Sequence, residues 1–323
     1  MDLLNDLFRE AGLRRRLLNV HGVPPDRALR FPCDRSLGFH VVLEGTLYVH
    51  PAGGAAPLRI EAGDVAVMGR GTDHRLAARA RLGALPEVGM PLTGAGRPAV
   101  PGDVIVVSGA YQLWHAPVHP LFAELPPWFV RRAEPARPLD PVSLTVAMLA
   151  EEARRDAGAA DALGRETVMH ALLDVLFTRL LRDMVAARGS AGAGWSHAVG
   201  DPQVRAAVAA LHADCARPWT LEALAQAVGL SRSALAARFR GAMGETPLAY
   251  LRTVRLQRAM RLLADAGDTL ERVAAAVGYG DAFSFSKAFK RAVGVSPGEF
   301  RRAEVASRAL PWRLGPAHAV GAR

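Results

Sequence analysis

The feature that most constrains the fold is a repeat in the second half of the chain. The segments 220–239 (TLEALAQAVGLSRSALAARF) and 269–289 (TLERVAAAVGYGDAFSFSKAF) share Thr-Leu-Glu at the start, an Ala five residues after the Thr, and then Val-Gly. Three further pairs extend the match: Gly244 with Gly294, Pro247 with Pro297, and Tyr250 with Phe300. A chain with this repeat has to build the same small unit twice.

Each copy predicts two short helices joined by a tight turn. In the first copy Thr220 and Ser231 are placed to cap successive helices, because their hydroxyls accept hydrogen bonds from unpaired amides at a helix start. Between them, the small Ala225 lets the helices approach, and Gly229 permits a left-handed turn. We therefore predict a helix-turn-helix motif. The second copy supplies the equivalent residues, with its second cap one position further along: Thr269, Ala274, Gly278 and Asp281.

A longer helix is predicted between the two copies. Pro247 can occupy the first helical position, and the helical pattern continues through LAYLRTVRLQRAMRLLA. These residues make a rod of roughly 27 Å at about 1.5 Å per residue. Such a rod can hold two recognition helices on one face of DNA, in successive major grooves about 34 Å apart.

The positive charge is concentrated in the part that contains the repeat. Residues 201–323 contain 18 Arg and Lys against 10 Asp and Glu, a net charge of +8, whereas residues 1–200 carry only +1. A basic domain joined to a nearly neutral one indicates a polyanionic partner. Because no apolar run reaches the length of about 18 residues that a transmembrane helix needs, we expect a cytoplasmic protein.

Residues 201–304 resemble the DNA-binding domain of AraC-family transcriptional regulators. The resemblance lies in the pattern AxxVGYxDxFSFSKAFKRxxGVSPxEFR of the second copy and in RLQRAMRLL of the linking helix. It implies a sequence-specific regulator, by family habit an activator, that binds double-stranded promoter DNA. It also implies a homodimer that works with RNA polymerase and responds to a small-molecule or redox effector.

The same resemblance implies which residues contact DNA. They are Arg232, Ser233, Ala236, Ala237, Arg238 and Arg240 in the first copy, and Phe283, Ser286, Lys287 and Lys290 in the second. Ala236 and Ala237 can offer only apolar contact to a thymine methyl group, and Lys287 can donate to guanine. For each Arg and Lys, the alternative is a phosphate contact or a solvated position.

The first half of the chain predicts a different architecture. Residues 1–20 have the pattern of an amphipathic helix, and between 31 and 125 short apolar runs such as FHVVLEGTLYVH are separated by Gly, Pro and Asp. Strands at such close spacing predict a small antiparallel barrel or sandwich. The expected fold class is therefore α+β, with a β-barrel followed by an all-α domain.

The segments HVVLEGTLYV and LRIEAGDVAVMGRGTDHRLA resemble a cupin, the small β-barrel that often serves as the sensor of AraC-type regulators. Together with the helical patterns that follow, this resemblance divides the chain into parts. The expected organisation is a cupin-like sensor domain at 1–137, a helical dimerisation region at 138–188, a linker at 189–200, the DNA-binding domain at 201–304 and a tail at 305–323.

The cupin resemblance also leads to the hypothesis of a divalent metal site. A catalytic cupin has two His around one residue and then a Glu; here Gly38 replaces the first His, while His40 and Glu44 remain and His74 follows in the second motif. His40 and Glu44 lie four residues apart on a strand and so share a face. With His74 and water they could ligate a metal. The alternative is that His40 is a hydrogen-bonded interior residue and His74 a loop residue.

Three other side chains are candidates for a role, and two other functions are alternatives to DNA-binding regulation. Cys33 is either a redox-sensing thiol or an inert one, and His115 and His119 are interpreted as structural. A cupin-type metal-dependent enzyme with an accessory helical domain is the alternative function, but it needs at least three protein ligands, and Gly38 argues against that. A third possibility, an interaction module that does not bind DNA, leaves the +8 charge without a purpose.

Overall fold

The computed structural model forms two compact units, which are described separately. One unit contains most of residues 15–112 and 126–185, and the other contains the short helix α1 (Pro120–Glu124) and the helices between Pro202 and Arg308. The structure describes residues 14–31, 33, 36–89, 100–112, 120–134, 136–137, 139–154, 163–188, 200–265 and 267–308. The predictions for His115, His119 and linker residues 189–199 lie outside these residues.

The first unit is built on two β-sheets. Its strands are β1 (Arg14–Val23), β2 (Ala28–Phe31), β3 (Ser36–Glu44), β4 (Thr46–Pro51), β5 (Leu58–Glu61), β6 (Val65–Met68), β7 (His74–Ala77), β8 (Glu87–Gly89), β9 (Val104–Gln112) and β10 (Trp128–Arg131). The strand orders are β1-β9-β3-β6-β10 and β5-β4-β7-β2-β8. β3 pairs antiparallel with β6 and β9, whereas β2 and β8 run parallel. The predicted barrel or sandwich is confirmed.

Apolar side chains from both sheets fill the space between them. The buried cluster includes Phe31, Val42, Leu47, Ile60, Met68 and Val106. Inner faces of two packed sheets interdigitate in this way, and burial of each such side chain stabilises the fold by about 1.5–3 kcal/mol. The interior is therefore closed by apolar packing, and the polar side chains found within it need hydrogen-bond partners.

The structure corrects the prediction of a helix over residues 1–20. From Arg14 onward the chain forms β1, so the helical prediction is wrong there; residues 1–13 are outside the described part. Asn19, His21, Gly22 and Val23 of this strand are all buried. β1 pairs with β9 at the edge of a sheet. This pairing favours a strand over a helix, because it provides hydrogen-bond partners for the backbone groups that would otherwise pair within a helix.

Two helices complete the first unit within the predicted helical region. They are α2 (Pro141–Arg154) and α3 (Arg165–Arg188). Tyr111 of β9 stacks on Phe177 of α3 with 4.2 Å between ring centroids, and its hydroxyl donates to Asp174 Oδ1 at 2.8 Å. An aromatic contact combined with a satisfied hydroxyl fixes α3 against the sheet.

Arg131, the last residue of β10, connects this strand to α2 and α3 through ion pairs. Arg131 lies 3.3 Å from carboxylate oxygens of both Asp140, which precedes α2, and Asp183 of α3. It also donates to Glu134 Oε1 at 2.5 Å. Because one guanidinium with several donors serves three carboxylates, the helices hold a defined position on this unit.

The second unit consists of helices in the described residues. They are α4 (Pro202–Ala213), α5 (Leu221–Ala227), α6 (Arg232–Met243), α7 (Pro247–Ala264), α8 (Leu270–Ala276), α9 (Ala282–Val293) and α10 (Pro297–Arg308). The last helix continues to Arg308, so the predicted tail at 305–323 begins inside a helix. No helix in the described residues is both long and apolar enough to cross a bilayer.

The predicted helix starts are confirmed. Thr220, Ser231, Thr269 and Asp281 each accept a hydrogen bond from the backbone amide three residues later. Pro247 lies at the start of α7, whose 18 residues match the predicted rod. Local capping chemistry therefore determined where these helices begin.

Helix α7 contributes to two separate cores. Its first half carries Tyr250, which packs on Phe239 at 5.8 Å between centroids and hydrogen-bonds to His212 at 2.7 Å. Its second half carries Met260 and Leu263 in the buried cluster of the second copy. Since one continuous helix is part of both cores, the two helix-turn-helix copies are joined by a rigid element.

Candidate nucleic-acid interface

The turn between the two helices is closed by the same hydrogen bond in each copy. The amide of Leu230 donates to the carbonyl of Ala225 at 2.9 Å, and the amide of Tyr279 donates to the carbonyl of Ala274 at 2.9 Å. Both alanines are buried, which lets the paired helices approach closely. The second helices, α6 and α9, are therefore presented in equivalent ways.

Helix α6 has one buried and one exposed face. Leu235, Phe239 and Met243 are buried, as the spacing of three and four residues requires of an amphipathic helix. The predicted contact residues Arg232, Ser233, Ala237, Arg238 and Arg240 are exposed, and Ala236 is half-buried. The exposed face of α6 is thus basic and carries small side chains, which suits close approach to a polyanion.

Arg238 has a role inside the protein that the sequence did not predict. Its Nη1 donates to Gln203 Oε1 at 2.7 Å and lies 3.8 Å from Asp201 Oδ2. Asp201 is the N-cap of α4 and accepts the amides of Gln203 and Val204. Arg238 therefore links α6 to the start of α4, in addition to its place on the exposed face.

Helix α9, like α6, has one buried and one exposed face. Phe285, Phe289 and Val293 are buried, whereas the side chain of Phe283 is 79% exposed. Lys287 and Lys290 are exposed, and Ser286 is half-buried. Phe283 and Lys287 lie four residues apart and therefore on the same side of the helix, and Phe can contact the thymine methyl group in the major groove.

The start of α9 is fixed by Asp281. Its Oδ1 accepts the amide of Ser284 at 2.7 Å, and its Oδ2 accepts the Ser284 hydroxyl at 2.8 Å. These hydrogen bonds, first the one from the backbone amide, hold the pKa of Asp281 below its usual value. The ionised cap also suits the positive end of the helix dipole, so the orientation of Phe283 and Lys287 rests on a well-defined first turn.

The first unit holds a second polar arrangement, a buried histidine pair. His40 of β3 and His74 of β7 face each other with 2.8 Å between their Nε2 atoms. His74 Nδ1 donates to the carbonyl of Thr72 at 2.9 Å, so a neutral His74 accepts at Nε2. His40 Nε2 then donates, and its Nδ1 accepts the Ser108 hydroxyl at 2.7 Å. Every nitrogen of the pair is satisfied with both rings neutral.

Aromatic rings surround this pair. Phe31 lies 5.1 Å from His40 and 5.2 Å from His74, and Trp128 lies 5.0 Å from His74, between ring centroids. Burial lowers the pKa of His74 to about 4 and that of His40 well below its usual value. The apolar enclosure therefore disfavours imidazolium and preserves the neutral chain of hydrogen bonds.

The chain matches two protein families along its length. Residues 2–186 match the family described as Cupin, and residues 224–303 match the family described as Helix-turn-helix domain. A protein of Streptomyces lividans named as an AraC-like transcription regulator is 30% identical over 283 residues, which cover 85% of this chain and 90% of that protein. The chain belongs to the AraC family of transcriptional regulators.

Further proteins match a smaller share of this AraC-family chain. The transcriptional regulator AlkR of Acinetobacter baylyi is 37% identical over 139 residues, 43% of this chain and 45% of that protein. The DNA-binding domain of AdpA, solved in complex with a target DNA, is 31% identical and covers 34% of this chain and 97% of that chain, with a TM-score of 0.32. The curated relatives are named regulators, so the chain is a DNA-binding regulator and not an enzyme.

The residues of the barrel do not fit a resident metal ion. The structure brings His40 and His74 together but leaves Glu44 exposed and outside the pair. A register shift between Val42 and Glu44 changes the side-chain alternation, so the shared face expected from four-residue spacing is lost. In the described part of the chain, no group of three or more His, Cys, Asp or Glu is arranged to hold a metal.

His21 is a polar residue of the barrel interior that the sequence reading missed. It is 1% exposed, and its ring lies 5.9 Å from Phe31. Among the described residues neither ring nitrogen has a hydrogen-bond partner, and burial lowers the pKa of the ring to about 4. His21 lies outside both the helix predicted over residues 1–20 and the strands predicted from residue 31, and no local sequence pattern marks it as buried.

Cys33 lies in an environment that opposes reactivity. The thiol is buried among the apolar residues of the barrel, and burial raises its pKa to about 12. The thiolate, and not the thiol, is the reactive species. The structure therefore argues against the hypothesis of a redox-sensing Cys33.

Proposed function

We propose that this AraC-family regulator activates transcription by inserting α6 and α9 into successive major grooves of one promoter. The observation that supports the proposal is the matched construction of the two helices. Each is capped, each is packed on its inner face by apolar side chains that include Phe239 in α6 and Phe289 in α9, and each exposes basic side chains. α7, which is part of both cores, has the length that would hold them about one helical turn of DNA apart.

The exposed faces differ in what they offer to DNA. The face of α6 presents Arg232 and Arg240 beside small residues, which suits phosphate contacts and close approach. The face of α9 presents Phe283 and Lys287, which can read a thymine methyl group and a guanine. Base discrimination is therefore assigned mainly to α9, and affinity to both helices.

The proposal predicts a steep dependence of DNA affinity on salt. Each phosphate neutralised by Arg or Lys contributes a slope of about −0.9 to a plot of log affinity against log salt concentration. We expect the full chain to bind duplexes selected from a random library, with a slope of log affinity against log salt concentration of about −4 or steeper. Fluorescence anisotropy over a series of KCl concentrations measures the slope, and an affinity unchanged by salt would contradict DNA binding.

The variant Lys287→Ala tests whether Lys287 contacts a base or a phosphate. If Lys287 donates to guanine, the variant loses discrimination at one base pair, by about 1–3 kcal/mol, with little change in slope. A phosphate contact would instead reduce the slope by about 1. Arg137→Ala is the matched control, since it removes one exposed positive charge from the first unit, and neither quantity is expected to change.

The barrel is proposed to bind the effector beside His21. A buried imidazole without hydrogen-bond partners is costly, and a small molecule with a polar group that donates to or accepts from the ring would remove that cost. His40 and His74 satisfy each other, so they leave His21 as the polar group best able to recognise a ligand. The effector is thus assigned to small molecules that carry hydrogen-bonding groups.

The helices of the first unit support the proposal of a homodimer. Leu144 and Met148 of α2 are one turn apart and exposed, and Val168 and Val175 of α3 are exposed as well. Apolar residues in the same helical region suit pairing between subunits. In this proposal effector binding in the barrel changes the pairing of two cytoplasmic subunits at a promoter, where they contact RNA polymerase.

The burial of Cys33 gives a test of the redox alternative. Because the pKa of the thiol is raised from 9.0 to about 12, the thiolate fraction near neutral pH falls on the order of a thousandfold. We expect native Cys33 to react with iodoacetamide at least about a hundredfold more slowly than in 6 M guanidinium, as measured by site-resolved mass spectrometry. Native labelling as fast as in the unfolded chain would restore the redox hypothesis.

A further inference from the structure

We propose that Arg255 sets the orientation of the second helix-turn-helix relative to the first and so determines the base-pair spacing that the protein accepts. The inference rests on the proposed function, in which both copies contact one duplex. Arg255 lies on α7, on the side of the helix that faces the loop after α4. It is a positioning residue, since the contacts below are all within the protein.

The guanidinium of Arg255 is held by the first copy. Its Nε donates to the carbonyl of Cys215 at 2.7 Å, and its Nη2 donates to the carbonyl of Arg217 at 2.9 Å. A planar guanidinium with two hydrogen bonds to one loop has little freedom to rotate. These bonds also satisfy carbonyls that follow the end of α4.

The same guanidinium lies against the turn of the second copy. A Cβ atom placed on Gly278 would lie 2.7 Å from Arg255 Nη2 and 2.5 Å from the carbonyl oxygen of Ala216. The backbone of the second turn therefore packs directly on the loop 215–217 and on Arg255. Gly278 is needed for this close approach as well as for its φ of 76°.

The matching turn of the first copy has no such neighbour. Gly229 has a φ of 69°, but a Cβ atom placed on it would meet no atom of the described residues within 4 Å. Both glycines therefore satisfy the same left-handed turn, and only Gly278 is also a contact between copies. The difference shows that the packing is specific to the junction and is not a general requirement of the motif.

The repeat itself supports a junction role for Arg255. Tyr250 corresponds to Phe300, so Arg255 corresponds to Val305, which is 48% exposed on α10. Arg255 packs against the turn of the second copy, whereas the matching position on α10 is an exposed valine. The arginine is therefore found at the position that contacts the other copy.

The loop that receives Arg255 is itself rigid. The indole Nε1 of Trp219 donates to the carbonyl of Asp214 at 2.8 Å, and the amide of Arg217 donates to Asp214 Oδ1 at 3.1 Å. The guanidinium of Arg217 lies 4.2 Å above the Trp219 ring. A fixed loop, a fixed guanidinium and a close-packed glycine together transmit the orientation of one copy to the other.

Spacing discrimination is the property that this junction would control. One extra base pair between half-sites moves the second groove by about 3.4 Å and rotates it by roughly 35°. A rigid pair of copies cannot follow this change, whereas a loosened pair can. Arg255→Ala should therefore weaken discrimination between spacings more than it weakens contact at either half-site.

The test uses the full chain and a duplex selected from a random library, with versions that carry one inserted base pair between the two half-sites. For the natural chain we expect the insertion to weaken binding at least about tenfold. For Arg255→Ala we expect the penalty to fall below about threefold, while the isolated half-site bound by α9 keeps its affinity. An unchanged tenfold penalty in Arg255→Ala would overturn the inference.

Matched variants control for charge and for backbone strain. Arg252→Ala removes an exposed positive charge from the same helix and should keep the tenfold penalty. Gly278→Ala and Gly229→Ala are equally strained by positive φ, but only the former displaces Arg255 and should reduce the penalty. Equal behaviour of the two glycine variants, or of the two arginine variants, would also overturn the inference.

A measurement without DNA separates this inference from the proposed function. Hydrogen exchange of the free protein should be faster at residues 215–217 and 278–280 in Arg255→Ala than in Arg252→Ala. If no duplex is selected but the exchange difference is present, the proposed function fails while the junction holds. If selection succeeds and the exchange rates are equal, the junction fails while the proposed function holds.

Discussion

Phe289→Ala is expected to lower the free energy of unfolding of the helical unit by about 3–5 kcal/mol. The ring of Phe289 is fully buried and packs at 5.6 Å, between centroids, against both Phe285 and Phe300. Truncation to Ala removes these contacts and leaves a cavity that a small helical unit can only partly refill. Urea denaturation followed by far-UV circular dichroism measures the change.

Phe283→Ala is the matched control for this prediction. The same chemical change on the same helix removes a ring that is 79% exposed, so the free energy of unfolding should stay within about 0.5 kcal/mol of the natural value. DNA affinity should fall instead, because the ring is assigned to contact with bases. Equal losses of stability in the two variants would show that the exposed and buried faces of α9 are wrongly assigned.

Acid is expected to destabilise the barrel unit strongly between pH 6.5 and about 4. Burial lowers the pKa of both His21 and His74 from 6.5 to about 4. Above pH 6.5 neither state binds these protons, but below it the unfolded chain takes them up while the folded chain does not, so stability falls with pH. Each histidine contributes about 3 kcal/mol to this loss. Urea denaturation at pH 7.5, 6, 5 and 4.5 measures it.

The surroundings of His74 oppose the effect of burial only in part. The carbonyl of Thr72 and the charge of Asp73 both raise its pKa, but burial has the larger effect. His21→Leu removes one titrating group with an apolar side chain of similar size, and the acid-induced loss should shrink by about 3 kcal/mol. A pH profile as steep as that of the natural chain would show that His21 is not held neutral in the fold.

Capping chemistry explains why the helical unit was predictable. The starts of α5, α6, α8 and α9 depend on hydrogen bonds between residues three apart, such as Ser231 with Ala234 and Asp281 with Ser284. Such bonds can be predicted from the local sequence, because both partners lie within a few residues of each other. The buried sides of α6 and α9 likewise follow from three- and four-residue spacing.

The polar residues inside the barrel could not be placed from the local sequence. His40 and Glu44 have the spacing of one strand face, but the irregular register between Val42 and Glu44 breaks the alternation. His21 lies between the helix predicted over residues 1–20 and the strands predicted from residue 31, so it belonged to no predicted element. Only the position of β1 beside β9 places His21 in the interior, and such pairing joins residues about ninety positions apart.

The two helix-turn-helix copies, their caps and the exposed basic faces follow from the sequence, because they depend on neighbours within a few residues. Three features could be found only in the folded chain: the neutral hydrogen-bond chain through His40 and His74, the exposure of Glu44 and the packing of Gly278 on Arg255. These contacts join segments distant along the chain, and their geometry is fixed only when strands pair and helices pack.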